Sequence, residues 1–138
     1  MKILYEAKAT VQGGRNGHVR SDDGLIDLQL AVPKSMGGPG GEKSNPEQLF
    51  ASGYAACFDG ALNYIAGTKK IKISGSQVTA KVGIGAIEPV GFGLKVTLEI
   101  SIPWIDRELG WELVKETHKF CPYSNAIRGN VDVDLVLL

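Results

Sequence analysis

The sequence has 138 residues, of which 43% are hydrophobic and 22% are charged, as is ordinary for a globular protein. One domain over residues 1–138 is the simplest organisation for this length. Fifteen basic and fifteen acidic residues give a formal net charge of zero. This balance argues against nucleic acid and anionic membranes as partners, because both attract a basic surface.

The first quarter of the chain predicts a meander of three short strands joined by turns. Apolar and polar residues alternate over residues 5–12, which is typical of a half-buried strand. A glycine-rich turn follows at residues 13–17 with Arg15 at its tip, and residues 18–21 predict a return strand. After a second turn, residues 25–32 predict the third strand.

The sequence also carries information about the compartment. Residues 1–8 alternate and carry charge, so we expect no signal peptide. No apolar stretch reaches the roughly 18 residues that a spanning helix needs. We therefore expect a cytoplasmic protein with no membrane partner, in a reducing compartment where a cysteine pair is more often catalytic than structural.

Residues 33–44 predict a flexible loop that leads into a long helix. The loop is rich in glycine but lacks the Gly-Lys-Ser/Thr sequence of a phosphate-binding loop, which favours a mobile connector or lid. Ser44 or Asn45 can cap the helix, and Pro46 suits its first position. Residues 49–66 are apolar or small on nearly every face. We therefore expect a helix buried on all sides, at the centre of a sheet wrap or between subunits.

The second half of the chain predicts a hairpin, an amphipathic helix and a final strand. Alternation over residues 78–84 and 94–100 is typical of two antiparallel strands. The apolar spacing over residues 105–120 predicts a helix, with Pro122 just past its end, and residues 131–137 predict the last strand. Helices and strands do not alternate regularly, so we expect an α+β fold and not a doubly wound sheet.

Cys57 and Cys121 are the only cysteines, and two thiols that meet in space can act as a redox switch. A thiol attacks only as its thiolate, yet Cys57 lies too far along its helix to feel the dipole, and apolar burial favours the neutral thiol. A cation must therefore approach it, and arginine suits a buried site because it stays charged. Arg15 is the best candidate and Arg20 and Arg128 are alternatives, although the spacing alone favours a solvated residue at the tip of a turn.

Glu47 is the natural bidentate partner of such an arginine, although an acid in the first helical turn also complements the helix dipole. An unbroken helix would separate Glu47 from Cys57 by about 15 Å. Both residues can belong to one site only if the helix breaks or another subunit supplies Glu47, with or without Arg15. We predict a homodimer with composite sites.

The second cysteine begins a short motif of its own. Cys121-Pro-Tyr-Ser124 is similar to the Cys-Pro-Tyr-Cys motif of glutaredoxins, but in that fold the motif follows an early strand and here it follows the last predicted helix. His118 could act as a base, or it could simply favour the helix dipole. The two histidines and two cysteines do not match zinc-site spacing, so we expect no bound metal or cofactor.

Several segments together closely resemble the organic hydroperoxide resistance (Ohr) proteins of the Ohr/OsmC family, in order and over essentially the whole chain. They are Gly13-Gly-Arg15-x-Gly17, Ser44-Asn-Pro-Glu47-Gln-Leu-Phe50, Gly53-Tyr-Ala-Ala-Cys57-Phe58, Gly91-Phe-Gly93 and Cys121-Pro-Tyr-Ser-Asn-x-x-Arg128-Gly-Asn130. The resemblance implies an intertwined homodimer with antiparallel sheets wrapped around central helices, which agrees with the helix that is apolar all round. Ile127 departs from the threonine that Ohr sequences often carry there.

The resemblance also implies a thiol peroxidase that reduces organic hydroperoxides to alcohols. By that likeness Cys57 is the peroxidatic cysteine, Cys121 is the resolving cysteine, and Arg15 and Glu47 activate Cys57. An external dithiol, typically a lipoylated protein, would recycle the Cys57–Cys121 disulfide. An apolar funnel beside Cys57 would favour organic hydroperoxides. Its possible lining residues, each of which is more often a core residue, are Met36, Leu49, Phe50, Phe92 and Ile127.

Three other functions remain open at the level of the sequence. A redox-sensing binding protein would form the disulfide once and change its affinity for a partner. A glutaredoxin-like oxidoreductase would reduce glutathione mixed disulfides even without Cys57. A protein with two unrelated buried thiols would react with peroxide at neither cysteine in its folded state.

Overall fold

The first 49 residues form a three-stranded antiparallel meander in the computed structural model, which describes all 138 residues. Its strands are β1 (Ala9–Gln12), β2 (His18–Ser21) and β3 (Asp27–Gln29), ordered β1-β2-β3. A short 3-10 turn, Gly14–Asn16, joins β1 to β2 and carries Arg15. Position 17, where this turn ends, requires glycine. An added Cβ there would lie 1.8 Å from the carbonyl oxygen of Gln12 and would overlap it.

The strands of this unit are shorter and more exposed than the alternation predicted. The first strand begins at Ala9 and not at residue 5, because β2 offers four partners and its last residue, Ser21, pairs with Ala9. All four residues of β1 are exposed, so the predicted half-buried face is wrong for the single chain. The third strand ends at Gln29, beyond which Leu30 forms an isolated bridge with Ser44.

The predicted loop over residues 33–44 is held by its own backbone. Lys34–Met36 form a 3-10 turn, and the N–H groups of Gly38 and Gly40 donate to the carbonyls of Pro33 and Val32. These bonds give a glycine-rich segment a defined path, because each satisfies a backbone group that would otherwise need water.

Helix α1 (Pro46–Thr68) begins as predicted and runs without a break. The side chain of Asn45 accepts a hydrogen bond of 2.8 Å from the N–H of Gln48, which is the geometry of a helix N-cap, and Pro46 occupies the first helical position. The single chain buries only one face of α1, so the predicted burial on all sides, which included burial between subunits, stays a prediction. One face is buried, whereas the opposite face is exposed and carries Ser52, Ala56, Gly60 and Tyr64.

Residues 50–138 form the second unit, in which a three-stranded sheet packs against helices. After α1 its elements are β4 (Gln77–Ala86), β5 (Phe92–Ser101), α2 (Arg107–Phe120), α3 (Pro122–Ile127) and β6 (Val133–Leu137). The order in the sheet is β4-β5-β6. The β4–β5 pair is antiparallel as predicted, but β6 runs parallel to β5. The crossover through α2 and α3 explains this difference, because parallel neighbours need such a connection.

Helix α3 was not predicted from the sequence. Pro122 ends α2 as expected, but it also starts the new helix, since its fixed φ and missing N–H suit a first helical position.

No helix of the structure is both long enough and apolar enough to cross a membrane.

The core of the second unit holds the helices that carry both cysteines. Its largest members are fully buried and come from α1, the central strand and α2: Tyr54, Phe58, Leu62, Leu98, Ile100, Leu113 and Val114. Cys121 is part of this cluster and Cys57 packs against it. Large-to-small substitutions in such a core typically cost several kcal/mol, so the backbone near the two thiols is held firmly.

Candidate active site

The two cysteines lie side by side in the second unit. The Sγ atoms of Cys57, on α1, and Cys121, between α2 and α3, are 3.6 Å apart, and both thiols are free. Cys121 is fully buried and Cys57 is partly exposed. A disulfide bond is about 2.05 Å long, so a movement of about 1.5 Å would join the sulfurs. The structure therefore brings together the two thiols that the sequence could only name.

Cys121 owes its position to the break between two helices. Its N–H donates to the carbonyl of Thr117 and closes α2, after which its backbone turns to an extended conformation. The following Pro122 favours that conformation because its ring crowds an α-helical residue before it. The thiol is thereby turned into the core at the end of one helix and the start of the next.

Burial works against ionisation of Cys57. Desolvation raises the pKa of the Cys57 thiol and is the largest influence on it, and the neighbouring Cys121 raises it further. A backbone hydrogen bond from Tyr123 lowers the pKa but does not outweigh burial. The thiol of Cys57 therefore needs a further positive group to become a thiolate near neutral pH.

Arg15 and Glu47 form a bidentate ion pair within the first unit. The guanidinium Nη1 and Nη2 donate to the two carboxylate oxygens over 2.9 and 2.7 Å. This bond lowers the pKa of the Glu47 carboxyl and raises the pKa of Arg15. The predicted pairing is confirmed, so Arg15 is not an unpaired residue, and its side chain is 40% exposed. Its action on Cys57 stays a prediction.

The alternative arginines have other partners. Arg20 is 65% exposed and its Nε lies 4.0 Å from a carboxylate oxygen of Asp27. Arg128 donates to the side chain of Asn125 and to the carbonyl of His118, both over 2.6 Å. Arg128 belongs to the same unit as Cys57, yet it is not among the groups that shift the pKa of Cys57.

A buried chain of hydrogen bonds beside the thiols was missed from the sequence. The hydroxyls of Tyr54 and Ser124, both fully buried, are 2.7 Å apart, and Nδ1 of His118 lies 2.9 Å from the same Ser124 oxygen. Burial raises the pKa of Tyr54 and lowers the pKa of His118, so it favours the neutral form of both side chains. The helix-dipole interpretation relies on a charged His118 in the last turn of α2, and burial disfavours that form. The available signal was the serine of Cys121-Pro-Tyr-Ser124.

Aromatic rings form an apolar wall next to this chain. The ring centroids of Phe50, Tyr54 and Tyr123 are 5.9 to 6.2 Å apart in each pair. Gly53 lets the Tyr123 ring approach α1, because an added Cβ would lie 2.9 Å from the Tyr123 hydroxyl. Of the predicted lining residues, Phe50 belongs to this wall and Ile127 packs against the core.

The prediction for Phe92 is not supported by its surroundings. Phe92 is 71% exposed and lines a cavity of about 530 Å³ on the β4–β5 hairpin, whose lining includes neither cysteine. The other two predicted lining residues, Met36 and Leu49, belong to the first unit. No group of three or more His, Cys, Asp and Glu side chains is placed to hold a metal ion.

Comparison with known proteins identifies the family. The family model described as OsmC-like protein matches residues 38–136. An organic hydroperoxide resistance protein of Xanthomonas axonopodis pv. citri is 50% identical over 137 residues, covering 99% of this chain and 96% of that protein. The organic hydroperoxide resistance protein OhrB of Bacillus subtilis is 47% identical over 135 residues, or 97% of this chain and 98% of that protein.

Solved structures agree with the sequence comparison. The crystal structure of an organic hydroperoxide resistance protein from Elizabethkingia anophelis superposes with a TM-score of 0.95 at 51% identity, covering 99% of this chain and 98% of that one. The predicted α+β, OsmC-like fold is thereby confirmed. The chain belongs to the organic hydroperoxide resistance proteins of the OsmC-like family.

Proposed function

We propose that the protein is a cysteine-based thiol peroxidase that reduces organic hydroperoxides to alcohols. The observation that carries this proposal is the 3.6 Å separation of the Cys57 and Cys121 sulfurs beside an apolar wall. The names of the relatives, which refer to organic hydroperoxide resistance, support the substrate class.

In the proposed cycle, the partly exposed Cys57 is the peroxidatic residue. Its thiolate attacks the distal oxygen of the hydroperoxide, the O–O bond breaks, and the leaving alkoxide takes up a proton to become an alcohol. Cys57 is left as a sulfenic acid, oxidised by two electrons. The thiol of Cys121 then displaces the sulfenic oxygen as water and forms the disulfide. This condensation protects Cys57 from irreversible over-oxidation.

A dithiol completes the cycle by thiol–disulfide exchange. It becomes a disulfide and returns both protein cysteines to thiols, so electrons and protons balance over one turnover. We expect a dihydrolipoamide-type dithiol carried on a lipoylated protein as the reductant, with no tightly bound cofactor. The proposed setting is the cytoplasm, where thiols are kept reduced.

Activation of Cys57 is proposed to require a second copy of the chain. Helix α1 is continuous, so Glu47 and Cys57 of one helix are separated by about 15 Å along its axis. The Arg15–Glu47 pair of a partner subunit can serve Cys57 without breaking the helix. The exposed face of α1 offers a surface on which two copies could pack closely, because Ala56 and Gly60 are small.

Gly60→Arg is expected to convert a dimer into a monomer that has lost most of its peroxidase activity. An added Cβ at Gly60 meets nothing within 4 Å in the single chain, the position is exposed, and arginine is a good helix former, so we expect the fold of the single chain to tolerate the change. Sedimentation measures the mass and circular dichroism checks the fold. A wild-type protein that is strictly monomeric and fully active would contradict the composite site.

One equivalent of cumene hydroperoxide is expected to remove two hydrogens from the intact protein. Formation of the Cys57–Cys121 disulfide has this result, and mass spectrometry of the intact chain measures it. Protein whose thiols were alkylated beforehand should keep its mass and serves as the control. A stable gain of one oxygen without loss of hydrogen would show that Cys121 does not resolve Cys57.

A further inference from the structure

Two contacts join α1 to the segment that begins at Cys121, and they lie one helical turn apart. Cys57 faces Cys121 at 3.6 Å, and Tyr54 faces Ser124 at 2.7 Å. In each segment the two residues are three positions apart, which places them on the same side of a helix. The hydrogen bond thus runs beside the sulfur pair, and anything that moves Ser124 also moves Cys121.

Ser124 is the junction of this arrangement. Its hydroxyl is fully buried and contacts both the phenol of Tyr54 and Nδ1 of His118, which lies on α2. A serine hydroxyl has one proton to donate and lone pairs to accept, so one hydroxyl can satisfy both neighbours. Three helices therefore meet at one oxygen atom.

The backbone of His118 is in turn held by Arg128. Nη2 of Arg128 donates to the carbonyl of His118, and Nη1 donates to Asn125, so the guanidinium connects the last turn of α2 with α3. The aromatic contact between Tyr54 and Tyr123, with centroids 5.9 Å apart, restrains the same segment through its neighbouring residue. Buried and satisfied polar networks of this kind specify a single arrangement, because a lost partner leaves a costly unpaired group.

We propose that Ser124, with Tyr54 and His118, positions Cys121 for attack on oxidised Cys57 and thereby sets the rate of disulfide formation. These are positioning residues, because the proposed step does not require the hydroxyls of Ser124 and Tyr54 or the imidazole of His118 to contact the hydroperoxide. The inference rests on the proposed function, in which the Cys121 thiol condenses with the Cys57 sulfenic acid and releases water. Displacements well below 1 Å matter for such a step, because the sulfurs must close from 3.6 Å along one line.

The first test is Tyr54→Phe, which removes one hydroxyl and keeps the ring. Rapid mixing with cumene hydroperoxide separates Cys57 oxidation, whose rate rises with hydroperoxide concentration, from disulfide formation, whose rate does not. We expect oxidation to stay within about twofold and disulfide formation to slow about five- to tenfold, the size expected for one buried hydrogen bond. Over-oxidation of Cys57 at high hydroperoxide should rise in parallel, because a slower Cys121 leaves the sulfenic acid exposed for longer.

His118 provides a matched pair of variants. Asparagine can place its amide near the position of Nδ1, so His118→Asn should restore disulfide formation to near the wild-type rate, whereas His118→Leu should slow it like Tyr54→Phe. A purely structural role would weaken both steps in proportion to lost stability. Disulfide formation as fast as in the wild type for both Tyr54→Phe and His118→Leu would overturn the proposal.

Failure of the proposed function can be told from failure of this inference. If the wild-type protein forms no disulfide with hydroperoxide, the peroxidase proposal fails. The oxidant diamide then still drives the Cys57–Cys121 disulfide, and its rate in Tyr54→Phe and His118→Leu tests positioning without any hydroperoxide. Unchanged diamide rates in both variants would count against Ser124 as the junction.

Discussion

Replacement of Cys57 by serine is expected to abolish hydroperoxide turnover. A serine hydroxyl does not ionise near neutral pH and has no accessible sulfenic state, so no oxygen can be transferred to it. Steady-state consumption of an alkyl hydroperoxide with dihydrolipoamide should fall to the uncatalysed background. Retained turnover at a substantial fraction of the wild-type rate would remove Cys57 from the peroxidatic role.

Cys121→Ser is the matched contrast, because it removes the second sulfur but leaves the first. This variant should complete one turnover and then stall as a sulfenic or over-oxidised Cys57, visible as a gain of oxygen in intact mass. Equal and partial losses in the two variants would contradict the assigned roles.

The alternative functions predict other results. A redox sensor would react only once even in the wild type. A glutaredoxin-like enzyme would keep activity toward glutathione mixed disulfides without Cys57.

The parts of the fold that the sequence predicted well are those encoded by local signals. Asn45 and Pro46 mark the start of α1 through capping and backbone geometry that involve only their own neighbours. The end of α2 before Pro122 is encoded in the same way. Alternation located the β4–β5 hairpin because its ten-residue strands pair along their full length.

The features that were not predicted depend on partners distant in sequence. The first strand begins at Ala9 because of where β2 ends, and β6 lies parallel to β5 because of the path of the intervening helices. The residues of β1 and β6 do not by themselves encode where the first strand begins or in which direction the last one runs. The exposed face of α1 carries small residues and an aromatic ring in place of charges (Ser52, Ala56, Gly60 and Tyr64), so periodicity did not separate it from the buried face.

The same distinction between local signals and distant partners applies to the residues of the candidate site. Cys57 and Cys121 could be named because they are the only thiols of the chain, and Arg15 and Glu47 because a buried thiolate needs a cation and that cation a carboxylate, as the family resemblance also implies. The Tyr54–Ser124 contact joins residues 70 positions apart, and tyrosine and serine are common residue types in any interior contact. Only their proximity in the folded chain gives them a role.

Arg15→Ala is expected to slow alkylation of Cys57 at neutral pH by about tenfold or more, the size of effect that a close opposite charge has on ionisation. Burial raises the pKa of Cys57, so loss of the guanidinium proposed to offset it reduces the thiolate fraction. The midpoint of the pH–rate profile should move to higher pH. At high pH, where Cys57 is fully ionised with or without Arg15, the two alkylation rates should converge. Iodoacetamide labelling of Cys57 in a Cys121→Ser background measures this without interference from the second thiol.

The ion pair itself should not titrate in the range that matters. Its bond lowers the pKa of Glu47 from 4.5 and raises the pKa of Arg15, so both stay charged above about pH 5 and through the alkaline range. The ion pair therefore contributes no titration of its own to the alkylation profile between these limits. Only when the pH falls through the lowered pKa of Glu47, below the ordinary range of a glutamate, does protonation release Arg15, and the stabilisation that their pairing gives is then lost.

Arg20→Ala is the matched control, because Arg20 lies on β2, the strand after the turn that carries Arg15, and its ion pair with Asp27 is long, at 4.0 Å. It should leave the alkylation profile of Cys57 unchanged. Glu47→Gln keeps the shape of the partner but removes its charge, so Arg15 would be held less firmly and the rate should fall between those of the wild type and Arg15→Ala. An unchanged midpoint in Arg15→Ala would mean that another group ionises Cys57, and it would separate the Arg15–Glu47 pair from the chemistry of the thiols.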